Sequence, residues 1–142
     1  MRRNLMKNTV MIILIITTII SVNAVSREGD THNLLNASDN FTQALENAKI
    51  ENKSIVLLFD QKSCSWCEAF KRNTLDNEEV VEKLNSNYIT VIVNINRNPE
   101  VASKYSVYGT PTVIFLDTNG NEVDRHEGYL PPDEFLEKLK GI

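Results

Sequence analysis

Ile55-Val56-Leu57-Leu58-Phe59 runs through Asp60-Gln61-Lys62-Ser63 into Cys64-Ser65-Trp66-Cys67, and this stretch decides how the rest of the chain is read. The apolar run has strand length and no polar alternation, as expected of a central strand covered on both faces. The cysteines follow where the strand ends and a helix begins. A sulfur at that point lies beside unpaired backbone N–H groups, and the helix end favours negative charge, so Cys64 can ionise near neutral pH. Cys67 lies one turn further on, close enough to close a disulfide. The chain of 142 residues has 2 cysteines in all. A bridge across two intervening residues removes little chain entropy and is a weak staple. The placement therefore marks a redox pair, with Cys64 attacking and Cys67 resolving. Trp66 reads either as a shield and flat apolar contact for a partner, or as simple packing.

The first residues carry a pattern distinct from the rest of the chain. Arg2, Arg3 and Lys7 precede an uncharged apolar run from Val10 to Val22, closed by Val22-Asn23-Ala24. Basic, then apolar, then small is the order of a secretory signal, so residues 1–24 are expected to be a leader cleaved after Ala24. The rival reading is an uncleaved membrane anchor, since the charge-free stretch from Thr9 to Ser26 approaches the ~18 residues a spanning helix needs. On either reading the basic flank stays cytoplasmic and the remainder is exported, to a periplasm or the outside. Removing the leader's three positive charges takes the formal net charge from −4 to −7. An acidic domain without a basic patch is a poor ligand for nucleic acid or anionic lipid. With 42% hydrophobic and 24% charged residues, the chain has the composition of a folded globular protein.

Residues 25–37 read as a linker with a short edge strand over His32–Asn36, and residues 38–142 as one domain. Phe41, Ala44, Leu45 and Ala48 recur at helical spacing, with Ser38 or Asp39 as the cap and Asn52-Lys53 as the break. A helix from Cys64 through Phe70 toward Thr74 is restarted at Asp76, with Glu79 completing a capping box. Tyr88–Ile95 is β-rich, and Asn98-Pro99 opens a short helix to Tyr105. Asn119-Gly120 between Thr112–Leu116 and Glu122–His126 signals a hairpin. Pro131-Pro132-Asp133 leads into a closing amphipathic helix with Phe135, Leu136 and Leu139. The order is (β)αβαβαββα, an α/β fold with a central mixed sheet and helices on both faces.

Taken together these residues resemble the thioredoxin family, from about Phe41 to Lys140. The resemblance rests on the strand-C-x-x-C-helix of Ile55 to Phe70, on Asn94-Ile95-Asn96 with Asn98-Pro99, on Gly109-Thr110-Pro111-Thr112, and on Gly128 before the last helix. The absence of Gly-Pro between the cysteines and the Thr74-Leu75-Asp76 stretch look closer to exported relatives, such as the C-terminal domain of the DsbD electron carrier. The resemblance implies the thioredoxin fold and a cis bond before Pro111, where composition alone favours an ordinary trans turn. It also implies that Pro111 lies against the cysteine pair and that the Thr110 backbone receives the substrate chain as an added strand. The implied activity is thiol–disulfide exchange with exported, disulfide-containing proteins, more as reductase than as disulfide donor. Electrons would come from a donor such as a membrane electron carrier, with no cofactor beyond the Cys64–Cys67 disulfide, and the protein would work as a monomer.

One departure bears on mechanism. Thioredoxins usually carry an acidic residue six positions before the first cysteine and a lysine in the next parallel strand; here Leu58 and Ile92 stand in those places. Asp60 and Glu68 are the nearest carboxylates and the candidate proton acceptors for Cys67, working through water, unless they are merely solvated surface. Two other classes compete with redox exchange. A metal-binding or metal-delivery module would use the cysteines as soft ligands, but only His32 and His126 remain as partners, at no ligand spacing. A redox-inert groove would leave the paired cysteines without a purpose.

Overall fold

The computed structural model describes residues 34–142. The leader reading and His32 lie outside the described residues. Strands β1 (Ala37–Ser38), β2 (Ser54–Asp60), β3 (Tyr88–Asn94), β4 (Thr112–Leu116) and β5 (Glu122–Glu127) form one sheet in the order β1-β3-β2-β4-β5. β2 pairs in parallel with β3 and antiparallel with β4, and β4–β5 is the hairpin. Helices α1 (Phe41–Glu51), α2 (Ser65–Phe70), α3 (Glu78–Asn87), α4 (Pro99–Lys104) and α5 (Pro132–Leu139) complete the domain.

The apolar run of β2 is buried on both faces, as its composition requires. Val56 and Leu58 join Val113 and Phe115 beneath Phe70, Val80, Leu84, Phe135 and Leu139, so α2, α3 and α5 cover that face. Ile55, Leu57 and Phe59 point the other way, into a cluster with Phe41, Ala44 and Ala48 of α1 and Ala102 of α4. Alternation along a strand puts successive side chains in opposite layers, which is why both layers are filled from one unbroken apolar run.

Several local expectations need correction. Among the described residues the edge strand is Ala37–Ser38, paired with Thr90 and Val91; of the expected His32–Asn36 strand, Leu34, Leu35 and Asn36 lie before it, and the rest falls outside the described residues. The backbone just before it is engaged by a side chain instead of a ladder: Asn85 donates to the Leu34 carbonyl at 2.7 Å and accepts from the Asn36 N–H at 2.8 Å. The cap of α1 is Asn40, whose side chain accepts from the Gln43 N–H; Ser38 belongs to the strand. The cap of α3 is Asn77, one residue beyond the expected Asp76; its side chain accepts from the Glu79 and Val80 N–H groups. The reason is that α2 continues into a π-helical turn, Lys71–Leu75, and Asp76 closes it by donating its N–H to the Lys71 carbonyl in a helical backbone conformation. A capping residue must leave helical geometry, and Asn77 is the first that does. The hairpin turn does use its glycine: Gly120 has φ +83°, and a Cβ there would lie 2.5 Å from Leu45 Cδ2.

Candidate functional site

The site is assembled from three segments that converge at the exit of β2. Ser63 takes a left-handed φ of 62°, uncommon for a residue with a side chain, and turns the chain from the strand into α2. Cys64 is then the N-cap of α2. Its Sγ accepts from the Cys67 N–H at 3.1 Å, so the same residue ends the loop, caps the helix and carries the outer sulfur of the pair. Cys64 and Cys67 form a disulfide. Cys64 is 9% exposed and Cys67 1%, so both are buried and Cys64 is the more exposed residue by a narrow margin.

The second segment is the loop Tyr108–Pro111. The Thr110 carbonyl lies 3.6 Å from Cys64 Sγ, and the Thr110 hydroxyl donates to the same sulfur at 3.5 Å. The Thr110–Pro111 peptide bond is cis, and Pro111 is buried. Thr112 Oγ1 donates to the Gly109 carbonyl at 2.8 Å, and the Gly128 N–H donates to the Pro111 carbonyl at 2.8 Å. These bonds close the loop on itself and tie it to the segment before α5. The structure thus brings Thr110 and Pro111 to the cysteine pair, though they stand more than forty residues away in sequence.

The third segment, Gly128–Leu130, was missed as part of the site. Trp66 is 64% exposed, and its ring lies 5.9 Å from that of Tyr129, so it packs on one side and is open to solvent on the other. Tyr129 also meets Phe70 edge-on at 6.4 Å. Buried Thr74, at the end of the π turn, donates its hydroxyl to the Leu130 carbonyl at 2.6 Å and so holds this segment to the cysteine helix. Tyr108, beside Gly109 in the loop that reaches Cys64, is 91% exposed. Its position next to the Gly-Thr-Pro segment was the available signal; for Tyr129 it was Gly128.

The two candidate carboxylates differ. Glu68 points outward, with its side chain 64% exposed. Asp60 corrects the reading of an exposed carboxylate: its side chain is 16% exposed and accepts from Lys71 Nζ at 2.6 Å and from Asn94 Nδ2 at 3.2 Å. Burial alone would lower the pKa of Lys71, but its hydrogen bond to Asp60 and the charges of Asp60 and Glu68 raise it. Lys71 was not singled out from sequence; its spacing four residues after Cys67, on the same helical face, was the clue. Leu58 and Ile92 are paired in register across β2 and β3, with Leu58 4% exposed, so apolar bulk fills the place where the resemblance puts an ion pair. His126 Nε2 sits 3.3 Å from the Tyr129 carbonyl. Among the described residues, no group of three or more His, Cys, Asp or Glu side chains is placed to hold a metal ion. No helix of the described residues is long and apolar enough to cross a membrane.

Residues 41–142 match the thioredoxin-like domain family. The chain is 30% identical over 105 residues to spermatogenesis-associated protein 20 of Mus musculus, an alignment covering 68% of this chain and 13% of that protein. It is 28% identical over 118 residues to the thiol:disulfide interchange protein DsbD of Photorhabdus laumondii, covering 78% of this chain and 20% of DsbD. Each relative is therefore much longer than the stretch it shares with this chain. Among solved structures, a thioredoxin from Thermus thermophilus superposes with a TM-score of 0.69 at 26% identity, covering 77% of this chain and 87% of that one. The five-stranded mixed sheet with helices on both faces is the thioredoxin fold.

Proposed function

Because this chain belongs to the thioredoxin-like domain family, we propose that it is an exported thiol–disulfide oxidoreductase that exchanges disulfides with protein partners through Cys64 and Cys67, mainly as a reductase. The observation that carries the reading is the Cys64 sulfur at the head of α2, in contact with the carbonyl and hydroxyl of Thr110. A partner strand laid along Thr110 would present its own disulfide to that sulfur, with Trp66 and Pro111 shaping the contact. In the reduced protein the Cys64 thiolate attacks a partner disulfide, forming a mixed disulfide and releasing one partner thiolate. Cys67 then attacks Cys64 Sγ, the Cys64–Cys67 bond forms, and the second partner sulfur leaves with its electron pair. The partner gains two electrons, and a separate dithiol donor, such as a membrane electron carrier, must return them. The match to a thiol:disulfide interchange protein supports this assignment.

The deciding measurement is the equilibrium of the Cys64–Cys67 pair against glutathione. A reductase should sit near the ~−270 mV of thioredoxins, and the reduced protein should cleave a model protein disulfide faster than the oxidised protein makes one. A potential near ~−120 mV would make it a disulfide donor instead.

Export is read from Arg2-Arg3, the apolar run to Val22 and the small residues to Ala24. Expression of the full chain in a secreting host should yield a protein beginning at Val25. Membrane-bound protein retaining Met1 would favour the anchored form, with the same domain outside.

A further inference from the structure

Two spaces meet behind Cys67. The inner one, about 10 Å³, is walled by Cys67, Leu58, Phe70, Leu75 and Pro111, and its volume is roughly what one water molecule needs. The outer one is an open polar cleft of about 800 Å³, reached by Lys62, Asn96 and Arg97. Three residues line both spaces: Asp60, Lys71 and Ile92. Ile92 is apolar, so the polar route from the buried sulfur to solvent runs over the Asp60–Lys71 pair. Asp60 follows Leu58 by two residues on the same face of β2, about 6–7 Å nearer the open end. Its register partner is Asn94, as Leu58's is Ile92. The polar pair has moved one pleat repeat outward, and its cation comes from the cysteine helix instead of the neighbouring strand.

We propose that Asp60 and Lys71 form the proton exit of Cys67. On resolution, the Cys67 proton passes through one water in the inner cavity to the Asp60 carboxylate, which returns it to solvent in the cleft, while the Lys71 ammonium faces the emerging thiolate. This rests on the reading of Cys64 and Cys67 as an exchanging pair. The Cys67 S–H bond breaks and Asp60 gains the proton; the thiolate forms the Cys64–Cys67 bond; the Cys64–partner bond breaks, and the partner sulfur takes the electron pair. Lys71 and Asn94 hold both carboxylate oxygens in place. Glu68 approaches Lys71 at 3.7 Å from outside, and Asp39, Lys62 and Arg97 border the cleft. Besides Cys67, Asp60 and Lys71 are the ionisable residues among those lining the inner cavity. Lys71, with its pKa raised, stays cationic throughout the neutral range.

The test is stopped-flow mixing of the reduced full-length protein with limiting 5,5′-dithiobis(2-nitrobenzoate) over a range of pH. The first release of thionitrobenzoate reports attack by Cys64, the second resolution by Cys67. Asp60→Asn should slow the second phase by about 100-fold or more near neutral pH, with recovery as hydroxide rises and with the first phase unchanged. Lys71→Met should slow it too, Lys71→Arg should restore it, and Asp39→Asn, on the cleft alone, should match the parent. If Asp60→Asn does not fold, the Lys71 pair decides. An unchanged pH profile of the second phase in Asp60→Asn and Lys71→Met overturns the relay and leaves the exchange reading standing. A parent protein with no second phase would remove the exchange reading itself, and the relay with it.

Discussion

Cys64→Ser is expected to abolish disulfide exchange, whereas Cys67→Ser should keep the first step and stall as a mixed disulfide with its partner. The asymmetry follows from position. Cys64 caps α2, its sulfur accepts the Cys67 N–H, and it retains 9% exposure; Cys67 lies inside the helix at 1%. In the reduced state the donated N–H and the helix end favour a Cys64 thiolate, while burial among Leu58, Phe70 and Leu75 holds Cys67 as a thiol. Alkylation of the reduced protein near neutral pH should therefore label Cys64 first, and peptide mapping gives the order. Partner adducts on non-reducing gels should appear with Cys67→Ser and vanish with Cys64→Ser. Equal labelling of the two thiols, or trapping by Cys64→Ser, would overturn this assignment of roles.

Phe135→Ala should cost about 3–5 kcal/mol, the range for removing a fully buried aromatic side chain from a core. Phe135 is 0% exposed, and its ring packs against Phe70 at 5.8 Å and Phe115 at 6.1 Å. It thus joins α5 to the cysteine helix on one side and to β4 on the other. For a domain of this size the midpoint of thermal unfolding should fall by at least ~12 °C. Phe70, which lies between Phe135 and Tyr129, would lose support as well, so the Trp66–Tyr129 contact should loosen. Thermal melts and tryptophan fluorescence of the oxidised protein check both effects. A loss under about 1 kcal/mol would mean that neighbouring side chains collapse into the space.

Much of this protein was legible in its residues because the decisive signals are local. Ile55–Phe59 is an apolar run of strand length with no polar alternation, the pattern of a strand buried on both faces, and it fills both layers. Cys64 and Cys67 are one helical turn apart in the chain itself, so no distant contact was needed to read them as a pair. The Asn119-Gly120 turn and Pro132 at the head of α5 follow from φ preferences that belong to single residues. The misread caps mark the limit of that reasoning. Asp76 and Asn77 are both good capping residues, and only the π turn closing on Lys71 decided between them.

What the sequence by itself determined was the order of elements, the redox pair and its helix, and the apolar character of Leu58 and Ile92. What only the tertiary structure decided was the company these residues keep. Thr110 reaches the Cys64 sulfur because β4 lies antiparallel beside β2, and that pairing brings the loop before β4 to the end of β2. Tyr129 reaches Trp66 because Thr74 and Pro111 bind the segment that carries it. Asp60 passes from surface carboxylate to half-buried, paired group because Lys71 and Asn94 arrive from a helix and a strand that the local sequence does not connect. Burial and electrostatics depend on the whole surround of a group, and residues distant along the chain supply most of it.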